Sequence, residues 1–219
     1  MNDKKISKSK SPIKEQVYLY IRDKIIKGEI NGGEFIEEEA ITSIMGFSRT
    51  PVREAFLRLH AERFIDLIPR KGACVRQITG REIINIYETR RLIEQHAVSR
   101  ICKEDIAVPD EMFACIEAMK VNEENINFYK HIVMDGRFHG AMVEAINNPV
   151  LMDVYKTIQD RKMRVAYTAL SLDPSRISLI ADQHNQILNA LYKKDLDTAN
   201  NVLEKHLCPV EGIISRLPR

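Results

Sequence analysis

The chain has 219 residues, 44% hydrophobic and 29% charged, which makes it a globular protein with room for two small domains, each burying its own core. No apolar run is long enough to span a membrane, and the Lys/Ser-rich stretch from Met1 to Ser11 lacks the apolar segment of a secretory signal. The formal net charge of +2 hides an asymmetry: residues 1–77 hold 15 Lys/Arg against 11 Asp/Glu, whereas the remainder hold 18 against 20.

Residues 1–12 read as a disordered basic arm able to touch phosphates. From Ile13 to Gly28, Val17, Ile21 and Ile25 recur at i, i+4 and i+8, the pattern of an amphipathic helix. Asn31-Gly32-Gly33 breaks it, and Glu34 to Ile36 leads into a short helix over Glu38 to Met45. Gly46 suits a tight turn. Ser48 is then placed as an N-cap, and Pro51 falls in the first helical turn, where the N–H groups have no intrahelical partner. Val52, Phe56 and Leu59 form a narrow apolar stripe on this next helix, while Arg49 and Arg53 lie one turn apart near its start. Two short helices joined by a Gly-containing turn, the second opening with arginines, is the helix-turn-helix pattern. Its second helix would present Arg49, Thr50 and Arg53 to the major groove of double-stranded DNA. An ordinary core helix with a solvated basic edge is the alternative.

The next segment of the chain favours the helix-turn-helix. Phe64 to Ile68 and Ala73 to Arg76 read as two strands joined by Pro69-Arg70-Lys71-Gly72, a hairpin with a basic tip, or wing. The run Ser48-Arg49-Thr50-Pro51-Val52-Arg53-Glu54-Ala55, with Arg70-Lys71-Gly72 and Val75 after it, resembles the GntR family of bacterial transcription regulators. Asn31-Gly32-Gly33 departs slightly, since family members often have a Pro there. The resemblance implies DNA contacts by Arg49, Thr50 and Arg53 from the helix, and by Lys71 and Gly72 from the wing tip.

Beyond Gln77 the signals are helical. Thr79-Gly80-Arg81-Glu82 is a capping box, opening a helix to about residue 102 with Ile83, Ile86, Arg90, Ile93, Glu94 and Ala97 on one side. Further helices are expected over residues 109–122, 126–146, 149–170, 174–193 and 195–215. Asn148, Asp173 and Asp195 serve as caps, and Pro209 kinks or weakens the last helix. The expected fold class is therefore mainly α: a winged helix-turn-helix over residues 13–77, then an antiparallel all-α bundle over residues 78–219. Cys74, Cys102, Cys115 and Cys208 are scattered with no C-x-x-C pair, as suits free thiols in a reducing cytoplasm.

Asp135 and His139 stand four apart on one expected helix, and His184 and His206 fall mid-helix on two others. One carboxylate and three imidazoles in a bundle core suit a borderline divalent ion such as Zn, Ni, Mn or Fe. The same residues also serve elsewhere as a solvated helix pair and as hydrogen-bonded polar groups at a core edge. Tyr87 to Arg90 with Glu94, Phe138-His139 after Asp135, Asn148-Pro149, His184 and His206-Leu207 resemble the effector domain of the FadR-like branch of GntR regulators. That resemblance spans both halves. It implies a metal on Asp135, His139, His184 and His206 that helps to hold a small organic or sugar acid, with Arg90 facing its carboxylate. An Arg90–Glu94 surface ion pair is the competing reading. His131, one turn before Asp135, is a candidate outer neighbour, and His60 and His96 read as structural.

The expectation is thus a homodimeric, effector-controlled DNA-binding regulator, repression being the more frequent mode of the family. A regulator that senses the metal itself is the second reading. A metal-dependent hydrolase is the third, although no base or nucleophile is placed by motif.

Overall fold

A computed structural model describes residues 11–120, 127–209 and 211–215; most of the N-terminal arm read from the sequence lies outside them. The chain divides into two compact units, residues 1–76 and 77–219.

In the first unit, α1 (Ile13–Ile26) packs on α3 (Arg49–Ala61), with α2 (Glu38–Met45) alongside α3. Val17, Ile21 and Ile25 of α1 meet a core that also holds Val52, Phe56 and Leu59 of α3; all six are at most 2% exposed. Each such side chain contributes roughly 1.5–3 kcal/mol on burial, so the α3 stripe fixes which side of that helix points outward. Gly46 ends α2 in a left-handed conformation (φ 70°), which lets the chain turn directly into α3. Ser48 stands at the N-cap position, but its side chain makes no capping bond.

The wing contains one strand more than expected. β1 (Phe35–Ile36), β2 (Ile65–Ile68) and β3 (Gly72–Val75) form an antiparallel sheet in the order β1-β3-β2, with Ile36 opposite Ala73 and Ile68 opposite Gly72. Two residues are too few to show a period in the sequence, so β1 was legible only as a connection. At the wing tip, Lys71 N–H donates to Ile68 O, with Pro69 first and Arg70 (φ 66°) second in the turn. Gly72 also has positive φ (89°), and a Cβ there would come within 2.7 Å of the Ile36 carbonyl oxygen. This glycine is required by the backbone that crosses it.

The second unit is helical among the described residues: α4 (Gly80–Lys103), α5 (Asp110–Met119), α6 (Phe128–Glu144), α7 (Pro149–Leu172), α8 (Arg176–Tyr192), α9 (Leu196–His206) and the single turn α10 (Glu211–Ile214). Thr79, Asn127, Asn148 and Asp195 cap α4, α6, α7 and α9 with side-chain oxygens. Asp173 does not cap α8 directly; it accepts bonds from Ser175, and the helix opens at Arg176. The expected last helix is divided. α9 stops at His206 because Pro209 has no N–H to give and disfavours helical backbone at Cys208 before it. A core of Ala97, Ile101, Met112, Phe138, Met142, Leu191 and Leu203 ties α4, α5, α6, α8 and α9 together. No helix among the described residues is long and apolar enough to cross a membrane.

Candidate functional site

In the first unit, Arg49, Thr50 and Arg53 are exposed on α3, opposite its buried stripe, and Lys71 is exposed at the wing tip. Arg49, Arg53, Arg70 and Lys71 line one open groove between α3 and the wing. Two acids of α2 reach into the same groove. Glu39 pairs with a terminal nitrogen of Arg49, and both carboxylate oxygens of Glu38 accept from Arg53 Nε, at 3.0 and 2.9 Å. These acids were not singled out in the sequence; they stand in the first turn of α2, where negative charge is favourable.

In the second unit, Asp135 and His139 of α6, His184 of α8 and His206 of α9 converge, with one donor atom from each lying within 4.8 Å of every other. His139 Nε2 is 3.2 Å from His184 Nε2 and 2.9 Å from His206 Nε2, and Asp135 Oδ1 is 3.2 Å from His184 Nε2. The tautomers explain why these atoms face one another. His206 Nδ1 lies 3.0 Å from Gln183 Oε1, an acceptor, so Nδ1 carries the proton and Nε2 presents a lone pair. His139 Nδ1 lies 2.7 Å from Glu94 Oε2, whose charge draws the proton to that side even though the N–H is not in line with the oxygen. With that tautomer on both rings, two lone pairs would face each other at 2.9 Å, an arrangement that a cation between them would relieve. Donors bound at roughly 2.1 Å to one ion sit about 3 Å apart when adjacent, so the residues present fit a divalent metal.

The electrostatics agree. Burial lowers the His139 pKa to about 4, against the opposing pull of Glu94. His206 is lowered well below its usual range by burial and by the two neighbouring imidazoles. All of this keeps lone pairs available at neutral pH. Burial pushes the Asp135 carboxyl up, but Lys162 and the histidines outweigh it and hold it well below the carboxylate range. Lys162 of α7, itself buried, pairs with Asp135 Oδ2 and leaves Oδ1 toward the imidazoles. Its own pKa is lowered, by burial and by nearby Arg90.

The Arg90–Glu94 pair forms, with Arg90 Nε donating to Glu94 Oε1 at 2.8 Å, but it is not the surface pair considered from the sequence. Arg90 is 1% exposed and Glu94 is fully buried. Tyr155 Oη also donates to Glu94 Oε1. Burial pushes the Glu94 carboxyl up, while Arg90 and His139 bring it down to about 2. Arg90 Nη2 is buried with no hydrogen-bond partner among the described residues, an orphan donor of a kind that native interiors rarely keep.

A family profile for the FCD domain matches residues 85–208, more than half of the chain, and one for bacterial regulatory proteins of the gntR family matches residues 13–75. The chain belongs to the GntR family, with an FCD domain as its second part. It is 29% identical to the gluconate operon transcriptional repressor of Bacillus subtilis over 195 residues, covering 85% of this chain and 79% of the relative. The transcriptional repressor RspR of Escherichia coli is 25% identical over 211 residues, covering 94% and 90%. A GntR regulator from Rhodococcus has the same fold, with a TM-score of 0.77 at 21% identity, covering 94% of this chain and 99% of that one. Escherichia coli McbR/YncC matches at a TM-score of 0.73 and 21% identity, covering 90% and 94%.

As a GntR protein the chain is a DNA-binding transcription regulator, and the hydrolase reading falls with that assignment. The structure brings Asp135, His139, His184 and His206 to one point, with Arg90 one turn before the glutamate that touches His139. His131 is buried nearby, but its ring nitrogens make no hydrogen bond among the described residues and it stays outside the ligand set. His96 is exposed, and His60 bonds the Ile65 carbonyl through Nδ1, a structural contact beside the wing. Sequence reading missed Glu94, Lys162 and Gln183 as parts of the centre. Glu94 and Arg90 did carry a signal, as charges falling inside the apolar stripe of α4. Lys162 and Gln183 carried none.

Proposed function

We propose that this chain is a cytoplasmic homodimeric repressor whose operator binding is controlled by a small organic or sugar acid held at a divalent metal. Arg49, Thr50 and Arg53 enter the major groove, and Lys71 and Gly72 approach the backbone from the wing. Asp135, His139, His184 and His206 hold the metal (Zn, Ni, Mn or Fe), and Arg90 takes the effector carboxylate. The observation that carries this reading is Arg90 itself. A guanidinium with an unpaired buried Nη2, in a cluster whose lone pairs call for a cation, is built to receive an anion beside that cation.

The metal supplies a positive anchor for a carboxylate or hydroxyl oxygen of the effector. The protein's part is to orient it: Glu94 and Gln183 set the imidazole tautomers, Lys162 fixes Asp135, and Arg90 provides the second anchor. α4 is joined to β3 by only the residues between Val75 and Thr79, so an effector that shifts α4 can bias the DNA-binding unit. It does so only to the extent that it binds one arrangement more tightly.

The test is a thermal-shift screen of organic and sugar acids on metal-loaded protein, followed by operator binding with each hit. Gluconate belongs in the panel because a relative governs a gluconate operon. A hit that raises the melting midpoint and changes operator affinity at saturating metal supports the reading. Operator binding that responds to metal alone, and to none of the acids, would favour the metal as the signal.

A further inference from the structure

Arg49 and Arg53 are both exposed arginines on α3, and both are met by acids of α2, but in different ways. Glu39 takes a terminal nitrogen of Arg49, so Arg49 must release that acid before its end can meet DNA. Glu38 binds Arg53 only through Nε, with both carboxylate oxygens on that one N–H, at 3.0 and 2.9 Å. The two terminal amino groups of Arg53 make no hydrogen bond among the described residues, and its side chain is 62% exposed against 26% for Glu38. Glu38 is therefore the more fixed partner, and it grips the guanidinium from the side.

We propose that Glu38 is a positioning residue for DNA reading: by holding Arg53 at Nε, it presents the terminal amino fork as the only free edge for a base. This rests on the reading that α3 enters the major groove with Arg53 forward.

A guanine offers O6 and N7 as a pair of acceptors, and an arginine meets them with two N–H groups at once. A free guanidinium can offer either its terminal pair or its Nε side. Once Nε is engaged, only the terminal pair remains, and the orientation of the plane is set before contact. A long side chain ordered in advance loses less freedom on binding. The acid also has a cost that is independent of sequence, because a carboxylate near the groove repels every phosphate backbone. Glu38 should therefore weaken binding to DNA in general while sharpening the choice among sequences. A merely structural acid at the start of α2 would not produce these opposite effects.

The experiment uses the full-length protein with two duplexes of equal length, one selected by the protein from a random library and one of random sequence. Their affinity ratio does not depend on the fraction of protein folded, so a partly destabilised variant still reports. Glu38→Gln is expected to bind random DNA more tightly and to lower the ratio by at least about threefold. Glu38→Asp keeps the charge but shortens the reach, so it should lower the ratio without the gain on random DNA. In an Arg53→Ala background, Glu38→Gln should leave the ratio where Arg53→Ala put it. An unchanged ratio in Glu38→Gln overturns the proposal, as does an equal fall with and without Arg53. If Arg53→Ala alone leaves the ratio intact, Arg53 is not a base reader, and the proposal falls together with the reading on which it rests.

Discussion

Glu94 stands between the two halves of the buried centre: its Oε2 lies 2.7 Å from His139 Nδ1, while its Oε1 accepts from Arg90. One carboxylate thus sets the tautomer of an imidazole proposed as a metal ligand and holds the arginine proposed for the effector. Glu94→Gln should lower metal affinity by about 10- to 100-fold, because the amide neither charges nor orients His139 as the carboxylate does. Competition with a metallochromic chelator measures this, and wild-type affinity in the variant would remove Glu94 from the centre.

His184→Ala and His206→Ala should each weaken metal binding and abolish the effector response, while the basal affinity for operator stays within about twofold. The check is operator binding of each variant with and without an acid found in the screen. A His206 variant that loses metal yet responds fully would sink the metal-bridged mechanism and leave the regulator assignment standing.

On the DNA side, Arg53→Ala should cost ~1–3 kcal/mol on the selected duplex if it reads a base edge. Lys71→Ala should lower affinity on every sequence and reduce the slope of log affinity against log salt by about one. Binding isotherms over a salt series separate the two behaviours. A Lys71 variant with an unaltered slope would mean that the wing tip does not touch phosphate.

Gly72→Ala combines a positive φ with a Cβ 2.7 Å from the Ile36 carbonyl. It should destabilise the DNA-binding unit by roughly 2–3 kcal/mol. Chemical denaturation followed by a probe in residues 13–75 is the measurement. An unmoved midpoint there would show that the β1–β3 crossing relaxes freely.

Acid should loosen the metal-free protein. The unfolded chain protonates His139 near its ordinary value of about 6.5, whereas the folded chain keeps it neutral down to about 4. Over that interval the unfolded state binds more protons. The share due to His139 is therefore whole above pH ~6.5 and falls, on the order of 3 kcal/mol, as pH drops to about 4, and His206, also lowered, adds a loss of the same sign. Glu94 and Asp135, both held below the carboxylate range, lose their share only at lower pH. Urea midpoints of chelator-treated protein at about pH 7.5 and pH 5 test the sign, and an equal or higher midpoint at pH 5 contradicts it.

Much of the fold was legible because its parts are local. The α3 stripe of Val52, Phe56 and Leu59 and the caps at Thr79, Asn148 and Asp195 are each written within a few residues of one another. The wing hairpin was visible for the same reason, but β1 was not, since a two-residue strand is made by its pairing with Cys74 and Ala73 and by nothing in itself. The centre shows the same divide. Asp135 and His139 share one turn of α6, whereas placing His184 and His206 required the family pattern. Lys162 and Gln183 needed the packed helices, because a lone Lys or Gln in a helix says nothing about what it will face. Ser48 misled for a related reason: its residue type suits a cap, but the bond depends on backbone geometry that residue type does not determine.

The buried ions of the FCD domain are already matched. Arg90 is set against Glu94 and Lys162 against Asp135, and burial keeps the imidazoles of His139 and His206 neutral. A divalent ion entering this balanced interior leaves two positive charges uncompensated in a medium that screens them poorly. Anions are the natural relief. Occupancy by metal should therefore make the pocket hungrier for an acid, and by reciprocity a bound acid should slow the loss of metal. Cellular metal supply and effector concentration would then act on the operator as a product, each nearly silent when the other is scarce.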